Sequence, residues 1–103
     1  SLHDALPIYA GKNVRCAPYE LFGTEELAQA ALKAMEDRNA CLLANHGLLA
    51  IGGTVEYAFD TAEETEFVAE LYYKAKCVGE PIPLKSEEMD EFLEKFKPYG
   101  KKL

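Results

Sequence analysis

The stretch Ala40-Cys41-Leu42-Leu43-Ala44-Asn45-His46-Gly47-Leu48-Leu49-Ala50-Ile51-Gly52-Gly53 decides the fold. Two short apolar runs flank the polar break Asn45-His46-Gly47, and each run has the length of a buried strand. Because a tight turn joins the two runs, the strands are expected to pair in an antiparallel manner. The glycine after His46 lets the backbone turn there, or lets another group approach it closely.

The polar break places His46 at a strand end, where its ring is expected to face a cleft. An imidazole in such a position has two interpretations. It is a hydrogen-bonded group of the core, which is the commoner case, or it is a metal ligand or catalytic base. Residue chemistry alone leaves both interpretations open.

A short strand and a helix are expected before the central stretch. Val14 to Cys16 is a strand candidate, and Pro18 ends it. Thr24 is a good N-cap for the helix, which is expected to end near Asp37 to Asn39. The apolar stripe of this helix comprises Leu27, Ala31, Ala34 and Met35.

Two further helices are expected after the central stretch. Thr54 caps the first of them, which meets no breaker before Gly79, and Ser86 caps the last, which ends at Pro98. The longer helix is expected to bury Val55, Ala58, Phe59, Ala62, Val68, Ala69 and Tyr72. Its carboxylates are interpreted as solvent-facing, since no histidine shares the helix: Glu56, Glu63, Glu64, Glu66 and Glu70. The last helix is expected to bury Met89, Phe92, Leu93 and Phe96.

These elements predict an α/β fold in which a partial antiparallel or mixed sheet is covered by helices. The 103 residues suffice for one small domain, and the net charge of −7 argues against a nucleic-acid or anionic-membrane surface. No apolar run is long enough to span a membrane. The three cysteines show no CxxC pattern, which suits a reducing cytosol.

Three segments resemble, in the same order, the C-terminal half of the class II (zinc-dependent) sugar-phosphate aldolases. They are the Asn-His-Gly-Leu-Leu-Ala motif at 45–50, the pair Arg15–Tyr19 and Phe22–Leu27, and the tail Glu94–Gly100. The resemblance runs from about Gly11 to Gly100. It implies part of the α/β/α sandwich of the class II aldolase and adducin family, so that some strand edges should lack partners.

The resemblance also implies a reaction, the reversible cleavage of a ketose 1-phosphate such as L-fuculose 1-phosphate to dihydroxyacetone phosphate and an aldehyde. His46 matches a family ligand of Zn²⁺, and Tyr99 matches a tail tyrosine that handles the aldehyde end of the substrate. The family's other two zinc-binding histidines and its proton-transfer carboxylate lie in the N-terminal half, outside this chain. The isolated chain is therefore expected to be inactive, and the full-length protein to be a cytoplasmic homotetramer.

Alternative functions and the N-terminal segment complete these expectations. A sugar-phosphate 4-epimerase or a methylthioribulose-phosphate dehydratase would use the same zinc scaffold, whereas a module like the adducin head, or a stand-alone binding module, would lack catalysis. Residues 1–8 resemble a translated sequencing adaptor and are interpreted as non-native, with residues 9–103 as the C-terminal part of the domain. A catalytic tyrosine of the family would fall near position 4, where this chain has Asp4.

Overall fold

The computed structural model describes residues 13–82 and 84–100, so the proposed non-native segment 1–8 lies outside the described residues. Its elements are β1 (Arg15–Ala17), α1 (Glu25–Ala34), β2 (Ala40–Leu43), β3 (Gly47–Ala50), α2 (Val55–Val78) and α3 (Ser86–Gly100). The described strands form one sheet in the order β1-β2-β3, with β1 parallel and β3 antiparallel to β2. The prediction of an α/β fold with a mixed sheet is confirmed.

The central strand pair forms as the sequence predicts, with Leu42 opposite Leu48 across β2 and β3. The turn between the strands is closed by a 2.9 Å hydrogen bond from the His46 amide to the carbonyl of Leu43. Asn45 has a φ of 66°, a left-handed conformation that asparagine tolerates better than most residues. The expectation that both strands are buried is wrong for β3, an edge strand whose Gly47 and Leu49 are exposed.

The first helix covers one face of the sheet, over β1 and β2. Its N-terminus is capped as predicted, because the hydroxyl of Thr24 accepts a hydrogen bond from the amide of Leu27 at 3.2 Å. Near its C-terminus, Ala34 packs against Ala17 and Cys41 in a cluster of buried residues. The small side chains at this contact let the helix lie close to the sheet.

The end of α1 differs from the expectation, since the helix stops at Ala34 rather than near Asp37 to Asn39. The guanidinium of Arg15, on β1, donates to the carbonyls of Ala34 at 3.2 Å and Glu36 at 2.7 Å. A cation that binds the last carbonyls of a helix stabilises its C-terminus. Asp37, with a φ of 55°, then redirects the chain towards β2.

The second helix covers the opposite face of the sheet, over β2 and β3. Thr54 caps it as predicted, accepting a 3.2 Å hydrogen bond from the amide of Tyr57. Val68 and Ala69 pack against the buried Val14 and Ala40, which form the core on this side. Sheet and helices thus form three layers, with small apolar side chains between them.

The face that α2 buries is only partly the expected one. Val55 and Phe59 are 82% and 60% exposed, whereas Thr61 and Thr65 are buried. Each threonine hydroxyl donates to the carbonyl four residues earlier, at 3.0 Å for Thr61 and 2.7 Å for Thr65. Because these bonds satisfy the hydroxyls locally, threonine can occupy a core position that sequence patterns assign to larger apolar residues.

A glycine brings the end of β3 close to the start of α2. A Cβ atom added at Gly52 would lie 2.6 Å from the backbone nitrogen of Ala58 and 2.8 Å from the carbonyl carbon of Tyr57. Real Cβ atoms do not approach other atoms so closely. The absence of a side chain at this position therefore sets how near α2 lies to the sheet.

The last helix buries Met89, as expected, but it continues through Pro98 to Gly100 rather than ending at the proline. A proline lacks the N–H that would donate to the preceding turn, yet its φ suits a helix, so one lost bond does not end α3. Tyr99 consequently lies in the last turn of a helix and not in a tail. No helix in the described part of the chain has the length and apolar character needed to cross a membrane.

Candidate functional site

The candidate site lies at the carboxyl ends of the parallel strands β1 and β2. The pairing of these strands continues past their ends, since the amide of Ala44 donates to the carbonyl of Ala17 at 3.1 Å. The loop after β1, residues 18–24, and the turn after β2, residues 44–46, therefore meet at one edge of the sheet. Loops at the carboxyl ends of parallel strands are a common position for ligand sites.

His46 contacts the loop through both its edge and its face. Its Nε2 lies 2.8 Å from the carbonyl oxygen of Glu20, and its ring stacks on Tyr19 with centroids 5.5 Å apart and planes 17° apart. A carbonyl oxygen only accepts hydrogen bonds, so Nε2 carries a proton in this arrangement and a neutral ring has its lone pair on Nδ1. The two contacts fix the orientation of an exposed imidazole.

A cavity of about 440 Å³ adjoins His46 on the α2 side of the sheet. Cys16 and Leu42 contribute to it from the strands, and Thr65, Glu66 and Ala69 contribute from α2. The position of His46 at a cavity, after a strand, is the position that the sequence predicts. Its role as a metal ligand stays a prediction.

The described residues fit a metal site only in part. His46 offers one imidazole, and the described residues contain no group of three or more His, Cys, Asp or Glu side chains that could hold a metal ion. Catalytic zinc usually has three protein ligands. His46 can thus serve as one ligand of a site whose other ligands lie elsewhere. Tyr99 lies in the last turn of α3, and its catalytic role is likewise a prediction.

Several residues of the site are absent from the sequence-based interpretation. Tyr19 and Glu20 fall in a loop without a recognisable motif, and Glu66 is one of several glutamates that the pattern assigns to solvent. Only the parallel pairing of β1 with β2 brings the loop to His46, and only the packing of α2 brings Glu66 to the cavity. An aromatic residue directly after Pro18, at a strand end, is the one signal that could have indicated the loop.

The cysteines lie on different faces near the site and all three are free thiols. Cys41 is buried under α1, and this burial, followed by the nearby Cys16, raises the pKa of the Cys41 thiol above its usual value. Cys16 is exposed on the side of the cavity. Neighbours along a strand point to opposite faces, so Cys16 and Cys41, on adjacent strands one register step apart, face away from each other.

Comparison with known proteins agrees with this geometry. The sequence profile of the class II aldolase and adducin N-terminal domain matches residues 2–73. The 5-deoxy-D-ribulose 1-phosphate aldolase of Bacillus thuringiensis serovar kurstaki is 54% identical over 92 residues, which are 89% of this chain and 43% of that protein. The L-fuculose phosphate aldolase of Escherichia coli K12 is 40% identical over 101 residues, 97% of this chain and 47% of that protein.

A solved structure of an L-fuculose 1-phosphate aldolase superimposes with a TM-score of 0.84 at 53% sequence identity. The superposition covers 86% of this chain and 42% of that structure. The chain thus spans somewhat less than half the length of the relatives that it matches. Its sequence and its fold show that it belongs to the class II aldolase and adducin family.

Proposed function

We propose that the chain is part of a zinc-dependent aldehyde-lyase that cleaves a ketose 1-phosphate to dihydroxyacetone phosphate and an aldehyde. The observation that carries the proposal is the position of His46, whose oriented imidazole borders a cavity at the carboxyl ends of β1 and β2. Relatives with this motif are aldolases by name, at 54% and 40% identity.

His46 is proposed to hold the metal as one of several ligands, with the others supplied by the portion of the relatives that this chain does not span. When bound, zinc supplies a Lewis acid for the charge that develops as the carbon–carbon bond breaks. Tyr19 keeps the imidazole plane fixed through ring stacking. Tyr99 is proposed to donate a proton or hydrogen bond to the aldehyde oxygen.

Two substrates are candidates, and the comparisons favour one of them. L-fuculose 1-phosphate would yield lactaldehyde, whereas 5-deoxyribulose 1-phosphate, with two carbons beyond the cleaved bond, would yield acetaldehyde. The relative named for the second substrate shares 54% of its residues with this chain, against 40% for the first. We therefore place 5-deoxyribulose 1-phosphate ahead of L-fuculose 1-phosphate. A 4-epimerase or dehydratase on the same scaffold would release no dihydroxyacetone phosphate, and an adducin-like module would catalyse nothing.

A chimeric enzyme tests the activity. The region of the Bacillus thuringiensis aldolase that matches this chain is replaced by the chain's own residues, and the other residues of that aldolase are kept. We expect the chimera to bind zinc and to release dihydroxyacetone phosphate from at least one of the two ketose phosphates. A chimera that has the circular dichroism spectrum of the parent aldolase and binds zinc, yet cleaves neither substrate, would reject the proposal.

Variants of the chimera test the two site residues separately. His46→Ala should remove most of the bound zinc and most of the cleavage, because an ion that loses one of three ligands is held weakly. Tyr99→Phe should keep the zinc, while turnover falls by roughly 10²-fold through loss of a proton donor. Tyr73→Phe, which removes an exposed phenol on α2, serves as the matched control and should change neither quantity. Metal content is measured by mass spectrometry.

The assembly and location of the full-length protein follow from the same proposal. We infer a homotetramer of the full-length enzyme and a cytosolic location, the latter supported by three free thiols. Light scattering of the chimera would give the number of subunits, and a monomeric active chimera would contradict the first inference.

A further inference from the structure

The exposed side of α2 next to the cavity carries an apolar stripe that nothing among the described residues covers. Phe59, Glu66 and Tyr73 are spaced by seven residues, so they lie along one side of the helix. Phe59 and Tyr73 are 60% and 69% exposed. Glu66 lines the cavity, so the stripe borders the cavity directly. We call Phe59, Glu66 and Tyr73 the open stripe.

The cavity continues the open stripe across the sheet. Helix α2 covers β2 and β3, whereas α1 lies on the opposite face over β1 and β2. The α2-side face of β1 therefore has no helix of the described chain above it, and Cys16 is exposed there. Open stripe and cavity together form an apolar depression beside α2, open along the edge strand β1.

We infer that this depression is the docking surface for a helix from the part of the class II aldolase fold that this chain does not span. The matched relatives contain more than as much polypeptide again, since the chain covers 43% and 47% of their lengths. Two large aromatic side chains on a long helix are costly to leave in water and are typical of surfaces that are covered in the complete protein. The unpaired edge of β1 offers backbone hydrogen bonds to a strand of the same partner.

A second copy of this chain fits the surface poorly. In a two-fold symmetric contact the same patch faces itself, and Glu66 stands at the middle of the open stripe. Two copies would thus bring two carboxylates together while each chain already carries a net charge of −7. Like charges in a desolvated contact disfavour association. A different polypeptide can meet Glu66 with a cation or a hydrogen-bond donor.

The inference is tested by reassembly from two separate polypeptides. The first is this 103-residue chain, and the second is the portion of the Bacillus thuringiensis aldolase that lies outside the matched region. We expect the two to form a one-to-one complex, measured by isothermal titration calorimetry and by size-exclusion chromatography with light scattering. Phe59→Ser and Tyr73→Ser should each weaken binding by about tenfold or more, because aromatic side chains at the centre of an interface contribute most of its affinity.

A matched control on another side of α2 makes the test specific. Phe67 is 54% exposed, close to Phe59, but it lies about 100° around the helix from Glu66. Phe67→Ser should change the affinity less than about threefold, within the range of a surface substitution. No binding between the two polypeptides, or equal losses at Phe59 and Phe67, would overturn the inference. So would a dimer of this chain that Phe59→Ser dissociates, since a second copy would then be the occupant. Binding without cleavage activity would leave the inference standing and reject only the proposed function.

Discussion

Gly52 allows a prediction whose size can be worked from one distance. In Gly52→Ala, the new methyl group would lie 2.6 Å from the backbone nitrogen of Ala58, whereas ordinary contact begins at 3.4 Å, a difference of 0.8 Å. The obstructing atoms belong to the backbone of α2 and cannot rotate away, so the helix has to move off the sheet. Overpacking of this kind costs about 1–3 kcal/mol. The reduced freedom of the unfolded chain returns about 0.4–1 kcal/mol.

The expected net loss for Gly52→Ala is therefore about 1–2 kcal/mol of unfolding free energy. In urea, with a slope of about 1–3 kcal/mol per molar, the midpoint should fall by roughly 0.5–1 M. Circular dichroism at a helical wavelength follows the transition. Gly79→Ala is the control, because a Cβ there meets nothing within 4 Å and its φ of 171° is ordinary extended backbone. The same or a higher midpoint for Gly52→Ala than for Gly79→Ala would refute the reasoning.

Three further predictions concern other parts of the chain. Deleting residues 1–8, which we propose to be non-native, should change the unfolding free energy by less than about 2 kcal/mol, as urea unfolding would show. Thr24→Ala should lower it by about 1 kcal/mol through loss of the α1 cap, measured in the same way, and an unchanged value would mean that the cap contributes nothing. Iodoacetamide should alkylate Cys16 and Cys77 in the folded chain but reach Cys41 only after unfolding, as peptide mass spectrometry would reveal. Because burial raises the pKa of Cys41, its contribution to stability is complete below the thiol's ordinary pKa of 9.0 and falls as pH rises further; a midpoint that increases above that pH would contradict this sign.

The strand pair and the helix starts could be predicted because their signals are local. Two apolar runs around Asn45-His46-Gly47 specify a hairpin, and the hydroxyls of Thr24 and Thr54 bond to amides three residues ahead. Such features depend on neighbours in the sequence. The same holds for the position of His46, since a polar turn between buried strands has to lie at the edge of the sheet.

The remaining features depend on contacts between distant segments. The end of α1 is determined by Arg15, which lies 19 residues before Ala34 in the chain. The face that α2 buries depends on the sheet, which accepts the small Thr61 and Thr65 where Phe59 would not fit so closely. The pattern of large apolar residues on α2 describes the surfaces of a longer protein, and for that reason it predicts the wrong buried face in this chain.

The hydrogen bond between His46 and Glu20 has a consequence for the kinetics of metal binding. A metal ion that approaches Nδ1 can bind while the 2.8 Å bond at Nε2 stays in place, so association need not wait for any rearrangement. An ion that binds through Nε2 first has to displace the carbonyl of Glu20 and, with it, the segment that carries Tyr19. In that case the opening rate of the loop limits the observed association rate, which becomes independent of metal concentration once the metal is in excess.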